Sequence, residues 1–118
     1  MRKFAESYTA AWCSQDPAQV AAHFAPNGSL QVNQSPAAVG RDAITAVAQI
    51  FMTAFPDLKV AMDSLDESTL TYYWTLTGGP VKISGYEQWT LAPDGLILQS
   101  LGHFDEADYH RQLQCPTS

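Results

Sequence analysis

The sequence predicts an α+β fold, with three N-terminal helices packed on a strongly curved, mainly antiparallel sheet and a short C-terminal helix. Two observations support this prediction. Apolar residues in the first half recur at helical spacing, whereas the second half alternates between apolar and polar residues, with turn signals between the runs. The length of 118 residues suits one domain, and we expect residues 1–118 to form it around a single core.

Two helices are predicted at the start of the chain. The first has an apolar face at positions i, i+4, i+7 and i+8, formed by Phe4, Tyr8, Ala11 and Trp12. The second begins at Asp16-Pro17, because aspartate is a good N-cap and proline suits the first helical position. Pro26-Asn27-Gly28 is a turn signal that separates this helix from a short strand, SLQVN (29–33).

A third helix is predicted after the loop at 33–40. Apolar residues of GRDAITAVAQIFMTAFPDL (40–58) keep helical spacing, and Pro56 ends the helix. Its apolar face consists of Ile44, Val47, Ala48, Phe51 and Phe55.

Four strands are predicted in the second half of the chain: LKVAM (58–62), TLTYYWTLT (69–77), VKISGYEQWTLA (81–92) and LILQSLGHF (96–104). Gly78-Gly79-Pro80 and Pro93-Asp94-Gly95 provide turns between them. Gly85 is interpreted as a β-bulge within the third of these strands. DEADYHRQL (105–113) is predicted to be the short final helix.

The charge pattern argues against several partners. The formal net charge is −6, and the six basic residues are scattered along the chain, with only Arg2 and Lys3 adjacent. Nucleic-acid binding needs a basic stripe that neutralises phosphates, so we expect no nucleic-acid partner. We expect no membrane partner either, because an anionic surface would repel the chain and no apolar run approaches the ~20 residues of a spanning helix.

Cysteine and histidine usage predicts neither a disulfide framework nor a metal site. Cys13 and Cys115 have no CxxC or His/Cys ligand spacing. We expect them to be unpaired thiols in a reducing compartment, which predicts a cytoplasmic location. The histidines His23, His103 and His110 lack HxH or HxxxH spacing, so we expect no metal, and nothing in the sequence predicts another cofactor.

Four parts of the chain carry a family pattern: FAPNG (24–28), GRDAI with AFPDL (40–58), ISGYEQWTLAPDGLI (83–97) and GHFDEADYHRQL (102–113). The first part opens the first strand, and the second marks the start and the end of the third helix. The third part forms a late hairpin, and the fourth contains an aromatic-Asp pair followed by a short helix. In this order and spacing they resemble the SnoaL-like branch of the nuclear transport factor 2-like superfamily, which includes polyketide cyclases. The resemblance covers nearly the whole chain.

The resemblance implies a cone-shaped fold whose helices wrap the concave side of the sheet and leave an apolar pocket. In the cyclases, a carboxylate near the end of the last strand acts as general acid/base in an intramolecular aldol closure, and the matching residue is Asp105. The chain departs from the cyclases in two places. Gly78-Gly79-Pro80 replaces a longer insertion, which argues against a polycyclic substrate, and Gly102 stands where a second acid often lies, which argues against a two-carboxylate mechanism.

His103 and Asp105 have two competing interpretations. They share strand parity, so on a continuing strand both side chains would lie on one face, where the carboxylate could orient the imidazole. An apolar pocket would raise the pKa of Asp105 toward the range of a general acid/base. However, Asp105 also stands where a helix N-cap belongs. Acceptance of the amide hydrogens of residues 107 or 108 would indicate the cap, and would favour a binding module over an enzyme.

The leading hypothesis is a SnoaL-like small-molecule enzyme. Asp105, assisted by His103, would perform cofactor-free acid/base chemistry, namely aldol cyclisation, isomerisation or hydration of a small apolar or aromatic carbonyl compound. Tyr72, Tyr86, Trp74 or Trp89 could donate a hydrogen bond to the substrate if turned inward. The predicted substrate-binding residues are Tyr8, Trp12, Asn33, Phe51, Phe55, Trp74, Tyr86 and Trp89.

The alternative hypothesis is a non-catalytic ligand-binding or dimerisation module of the same fold. In either case we expect a homodimer formed through the outer face of the sheet, which in TLTYYWTLT would present Thr71, Tyr73, Thr75 and Thr77. An epoxide-hydrolase-like Asp-Arg-Asp relay is disfavoured, because Lys82 is the one basic residue on the interior strands.

Overall fold

A computed structural model gives the fold and describes residues 2–114. Its elements, in chain order, are α1 (Arg2–Cys13), α2 (Pro17–Ala21), β1 (Phe24–Val32), β2 (Ala38–Val39), α3 (Arg41–Ala54), β3 (Lys59–Asp66), β4 (Thr71–Gly78), β5 (Val81–Leu91), β6 (Ile97–Phe104) and α4 (Glu106–Gln114). The predicted α+β class and the short C-terminal helix are confirmed. Cys115, one of the two thiols predicted to be unpaired, lies outside the described residues.

The six strands form one mixed sheet in the order β2-β1-β6-β5-β4-β3. β1 pairs with β6 in parallel, and the other neighbouring pairs are antiparallel, as expected of a mainly antiparallel sheet. The count of three N-terminal helices is not exact, because α3 follows both the predicted strand β1 and the unpredicted strand β2. The predicted turn at Pro26-Asn27-Gly28 is wrong, since these residues lie within β1, where its register with β6 shifts. The architecture is consistent with the cone-shaped fold that the resemblance implies.

The N-terminal helices bury the faces that their sequences predict. α1 buries Tyr8 and Trp12 together with two alanines, because these residues recur on one helical face. The Asp16 side chain caps α2 by accepting a hydrogen bond from the Ala18 amide at 3.1 Å. α3 begins after Gly40, whose φ of 91° favours glycine, and it ends before Pro56.

The long strands alternate between buried and exposed side chains. In β4, Tyr72, Trp74 and Leu76 point into the core, while Tyr73 and Thr77 are exposed, as predicted. Thr71, which was expected on the exposed face, is buried. In β5, the buried positions are Val81, Ile83, Glu87 and Trp89. The inner face of the sheet and the helices that cover it therefore enclose one hydrophobic core cluster.

The predicted bulge at Gly85 is wrong. Gly85 pairs in continuous register with Trp74 of β4, and the irregularity between β5 and β6 lies at Thr90 and Leu91 instead. Glycine is needed at 85 because the Trp74 ring crosses it. A Cβ there would lie 2.6 Å from Trp74 Cζ2 and 2.3 Å from the His103 carbonyl oxygen.

The helices within residues 2–114 are all too short, or too polar, to cross a lipid bilayer.

Candidate functional site

A buried carboxyl group lies at the centre of the inner face of the sheet. It belongs to Glu87 in the middle of β5, and the residue is only 7% exposed. The unbroken alternation of β5 turns this side chain inward together with Ile83 and Trp89. An acid in this position is surrounded by core residues, so its charge and hydrogen bonds determine what the site can do.

The two oxygens of the Glu87 carboxyl are in different environments. Oε1 accepts hydrogen bonds from Ser100 Oγ at 2.7 Å, from Trp89 Nε1 at 3.0 Å and from the Tyr8 hydroxyl at 3.1 Å. Among the described residues, Oε2 has one long contact, with the same Tyr8 hydroxyl at 3.4 Å. Since Oε1 is already saturated by donors, Oε2 is the oxygen that carries the proton when the carboxyl is neutral.

Burial raises the pKa of Glu87, because removal from water penalises the charged form. The hydrogen bonds from Trp89, Ser100 and Tyr8 act in the opposite direction and are the smaller effect. Among residues 2–114, no basic side chain forms an ion pair with Glu87. A carboxyl with a raised pKa and no counter-charge is suited to general acid/base chemistry near neutral pH.

The raised pKa predicts a specific pH dependence of stability. The folded protein holds the Glu87 proton more tightly than the unfolded chain, so this contribution is complete below the unfolded pKa of about 4.3. It is lost as pH rises from there through the folded pKa. Urea unfolding at a series of pH values should show this decline in the wild type and not in Glu87→Gln, and identical pH profiles would contradict it.

A cavity of about 60 Å³ lies beside Glu87. Its walls come from the inner face of the sheet and from α1 and α3, and apart from the Glu87 carboxyl they consist mainly of aliphatic and aromatic side chains. The aromatic rings in the wall are those of Trp12, Phe51, Tyr72, Trp74 and Phe104. The site therefore combines one ionisable acid with a ring-rich enclosure.

The two buried tyrosines next to Glu87 remain protonated at neutral pH. Desolvation, reinforced by the nearby Glu87 charge, raises the pKa of Tyr8 well above its ordinary value. Burial also raises the pKa of Tyr72. The Tyr72 hydroxyl donates to Thr9 Oγ1, since the Thr9 proton is already used by the Ala5 carbonyl at 2.8 Å. Both phenols are thus occupied with protein partners.

Six of the predicted substrate-binding residues lie in or near the core. Trp12, Phe51 and Trp74 line the cavity. Tyr8 and Trp89 are buried and hold the Glu87 carboxyl through hydrogen bonds. The sixth, Phe55, is buried at the end of α3 outside the cavity wall, with its ring against Tyr109 of α4.

Asn33 and Tyr86 lie elsewhere. Asn33 follows β1 with a φ of 52°, and its Oδ1 accepts a hydrogen bond from the Phe104 amide, which ties the end of β1 to β6. Tyr86 lies on the outer face and is 36% exposed, because the absence of a bulge at Gly85 leaves Glu87 as the inward residue. The inward position expected for Tyr86 is therefore corrected.

The predicted catalytic pair does not meet in the cavity. His103 pairs with Tyr86 across the sheet, with ring centroids 5.0 Å apart, on the face opposite the cavity. Asp105 is exposed, and its Oδ1 accepts the Asp108 amide hydrogen at 3.0 Å at the start of α4. β6 ends at Phe104, so the strand parity that would have aligned the two side chains stops before Asp105. The structure thus favours the cap interpretation of Asp105.

The cap can be tested by substitution. Asp105→Ala removes the acceptor for the Asp108 amide and is expected to destabilise the protein by about 1 kcal/mol, whereas Asp105→Asn keeps a good N-cap and should change little. Thermal or urea unfolding of the two variants measures the difference. Equal loss in both would show that the side-chain cap does not stabilise α4.

Glu87 was not among the residues predicted from the sequence. A signal was available: counting inward positions from Val81 without a bulge reaches Ile83, Gly85, Glu87 and Trp89 in turn. An acid in phase with large apolar residues on a strand indicates a buried carboxyl, which must be functional or well paired.

The chain matches a model of the SnoaL-like domain over residues 5–100. A search against curated proteins finds no matching sequence.

Solved structures share the fold at low sequence identity. A Catenulispora acidiphila protein of ketosteroid isomerase-like fold, in complex with trimethylamine, has a TM-score of 0.83 and 13% identity, covering 93% of this chain and 91% of its own. The epoxide hydrolase/cyclase-like enzyme SalBIII, with a role in pyran ring formation in the polyether salinomycin, has a TM-score of 0.77 and 15% identity, covering 91% of this chain and 92% of its own. A Burkholderia thailandensis SnoaL-like protein of unknown function has a TM-score of 0.73 and 16% identity, covering 88% of this chain and 92% of its own. At these identities, the likeness establishes the fold.

Proposed function

The chain belongs to the SnoaL-like domain family, and on this premise we propose that it is a cofactor-free acid/base enzyme acting on a small carbonyl compound, with Glu87 as the acid/base. One observation carries the proposal: a carboxyl with a raised pKa lines a ring-rich cavity and keeps Oε2 almost without partners. The proposal moves the reacting acid from the end of β6 to the middle of β5.

The proposed chemistry is proton transfer next to a carbonyl. In its ionised form, Glu87 accepts a proton from the carbon beside the carbonyl group onto Oε2. The neutral acid then gives a proton to the original carbon after its own proton has exchanged with solvent, to another carbon of the enolate, or to the alkoxide oxygen that forms when the enolate carbon bonds to a second carbonyl of the same molecule. These outcomes are exchange, isomerisation and aldol cyclisation, which share the first step. Tyr8, Trp89 and Ser100 would position the carboxyl through Oε1.

The cavity favours a small substrate. Its volume of about 60 Å³ is below the ~150 Å³ of a cavity known to hold benzene. A polycyclic ligand would require the walls to move apart, whereas a ketone of a few heavy atoms needs little change. The short turn at Gly78-Gly79-Pro80, where cyclases carry a longer insertion, points in the same direction.

Hydrogen–deuterium exchange of acetone tests the proposal without knowledge of the natural substrate. The methyl proton signal of acetone in deuterated buffer is followed by NMR, with and without the folded protein. We expect the folded protein to accelerate loss of the signal. A rate equal to that of an urea-unfolded sample, corrected for urea, would overturn the proposal for small ketones.

A second candidate function is binding of a small alkylammonium cation without catalysis. Aromatic rings attract such cations, and ionised Glu87 would supply the counter-charge. The Catenulispora protein of the same fold holds trimethylamine. Cation binding should strengthen as pH rises through the Glu87 pKa, whereas a neutral ketone that accepts a hydrogen bond from protonated Glu87 should bind more weakly. Calorimetric titration with trimethylammonium and with acetone across pH separates the two candidates.

The homodimer remains a prediction. Tyr73 and Tyr86 form a tilted pair on the outer face of the sheet, with centroids 5.9 Å apart, and His103 continues the row. This row would lie in the proposed sheet-to-sheet interface. Sedimentation velocity of the wild type and of Tyr86→Glu tests it, since the buried charge should produce monomers.

A further inference from the structure

The hydrogen-bond donors near Glu87 are almost all occupied by the protein itself. Tyr8, Trp89 and Ser100 donate to Glu87, and Tyr72 donates to Thr9. None of these donors is available to a carbonyl oxygen in the cavity unless it leaves its present partner. Glu87 itself is no donor in the ionised form that accepts the substrate proton. In that form, a ligand with an acceptor atom has to find another donor.

The Trp74 indole provides one. Its Nε1 is buried and has no hydrogen-bond partner within the described part of the chain. A buried N–H without an acceptor lowers the stability of a fold by about 1–3 kcal/mol, and most buried N–H groups in proteins are paired. The unpaired Trp74 N–H is therefore a candidate donor to a ligand. Trp74 lines the same cavity as Glu87, and the residue is only 9% exposed.

The sheet register places Trp74 and Glu87 close together on the inner face. Trp74 pairs with Gly85, and Tyr72 pairs with Glu87, so Trp74 and Glu87 are diagonal neighbours on β4 and β5. Such diagonal positions are roughly 7–8 Å apart and lie within reach of long side chains. The Trp74 ring lies over Gly85, which has no side chain to displace it. The Phe104 ring packs edge-on against the Trp74 ring, with centroids 6.1 Å apart.

We propose that Trp74 Nε1 donates the hydrogen bond that holds the acceptor oxygen of a small neutral ligand beside Glu87. The inference rests on the proposed function and names its ligand class more closely: one carbonyl oxygen on a compact apolar body. An N–H donor in the wall repels a cation, so it favours the neutral ketone over the alkylammonium ion. In a proton transfer, the same donor would stabilise the oxygen of the enolate.

Indole NMR with two matched probes tests this role. Acetone and isobutene have nearly the same shape, but only acetone has an acceptor oxygen. The protein has three tryptophans, so ¹⁵N-labelled indoles give three N–H signals, assigned by single Trp→Phe variants. Acetone is expected to move the Trp74 signal downfield, whereas isobutene should occupy the cavity and leave that proton without an acceptor. The Trp74→Phe variant should bind acetone about 5–100-fold more weakly and isobutene with little change.

The outcomes separate this inference from the proposed function. Equal shifts of the Trp74 signal with both probes, or unchanged acetone affinity in Trp74→Phe, would overturn the donor role while leaving acid/base chemistry at Glu87 intact. Absence of acetone binding to the wild type would overturn it as well. Conversely, a Trp74 shift specific to acetone, combined with undiminished proton exchange in Glu87→Gln, would support the donor and remove Glu87 as the acid/base.

Discussion

Replacing Glu87 with glutamine is expected to lower the rate of acetone proton exchange by about 10²–10⁴-fold, the usual contribution of a positioned general acid/base. Glutamine has the same shape, and its carbonyl oxygen can still accept from Trp89, Ser100 and Tyr8. The variant should therefore fold. Circular dichroism and urea unfolding confirm folding before the exchange rate is measured by NMR.

Asp105→Asn is the matched control, since it makes the same carboxyl-to-amide change at the acid that the family resemblance indicates. Asp105 is exposed and caps α4, so the acetone exchange rate with the Asp105→Asn variant should equal that with the wild type. If Asp105→Asn abolished exchange and Glu87→Gln did not, the acid/base would lie at the end of β6 and our assignment to β5 would be wrong.

Replacing Gly85 with alanine is expected to destabilise the protein by about 3 kcal/mol, the upper part of the range for overpacking. The new Cβ would lie 2.3 Å from the His103 carbonyl oxygen and 2.6 Å from Trp74 Cζ2. Neither atom can give way cheaply, because one is backbone of β6 and the other is part of a packed ring. Urea unfolding gives the change in free energy, and the Trp74 N–H signal should move as the ring is displaced.

Gly102→Ala is the control for this substitution. Gly102 also lies in the sheet and lines the cavity, but a Cβ there would make ordinary contacts, at 3.4 Å to the Gln31 carbonyl oxygen and 3.6 Å to Glu87 Cγ. We expect a change within about 1 kcal/mol, partly offset by the reduced freedom of the unfolded chain. A loss as large as that of Gly85→Ala would show that any side chain in this part of the sheet is destabilising, whatever its neighbours.

Much of the fold follows from local patterns. The apolar face of α1, the Asp16 cap of α2, the stop at Pro56 and the alternation of β4 each depend on residues a few positions apart. The periodicity of a helix or a strand can be recognised without knowing which distant residues it contacts, which is why these elements could be predicted. Trp12, Phe51 and Trp74 were predicted to bind a ligand for the same reason, since they lie on inward faces.

The error at Tyr86 has its source in the register of β5. A single extra residue at Gly85 would have exchanged the two faces of the strand beyond it, bringing Tyr86 inward and Glu87 outward. Glycine permits both a bulge and a close approach, and the sequence alone does not distinguish them. The ring of Trp74, on another strand, occupies the space over Gly85 and decides for the close approach.

The sequence by itself determined the α+β class, the helices, the late strands and the family, because these depend on periodicity and on short motifs in order. Only the tertiary structure decided which acid is buried. Asp105 and Glu87 are both acids on or just beyond long strands, yet one caps a helix in solvent and the other is enclosed with raised pKa. The pKa of a carboxyl depends on how much water surrounds it, and that is set by strand pairing and helix packing between residues far apart in the chain.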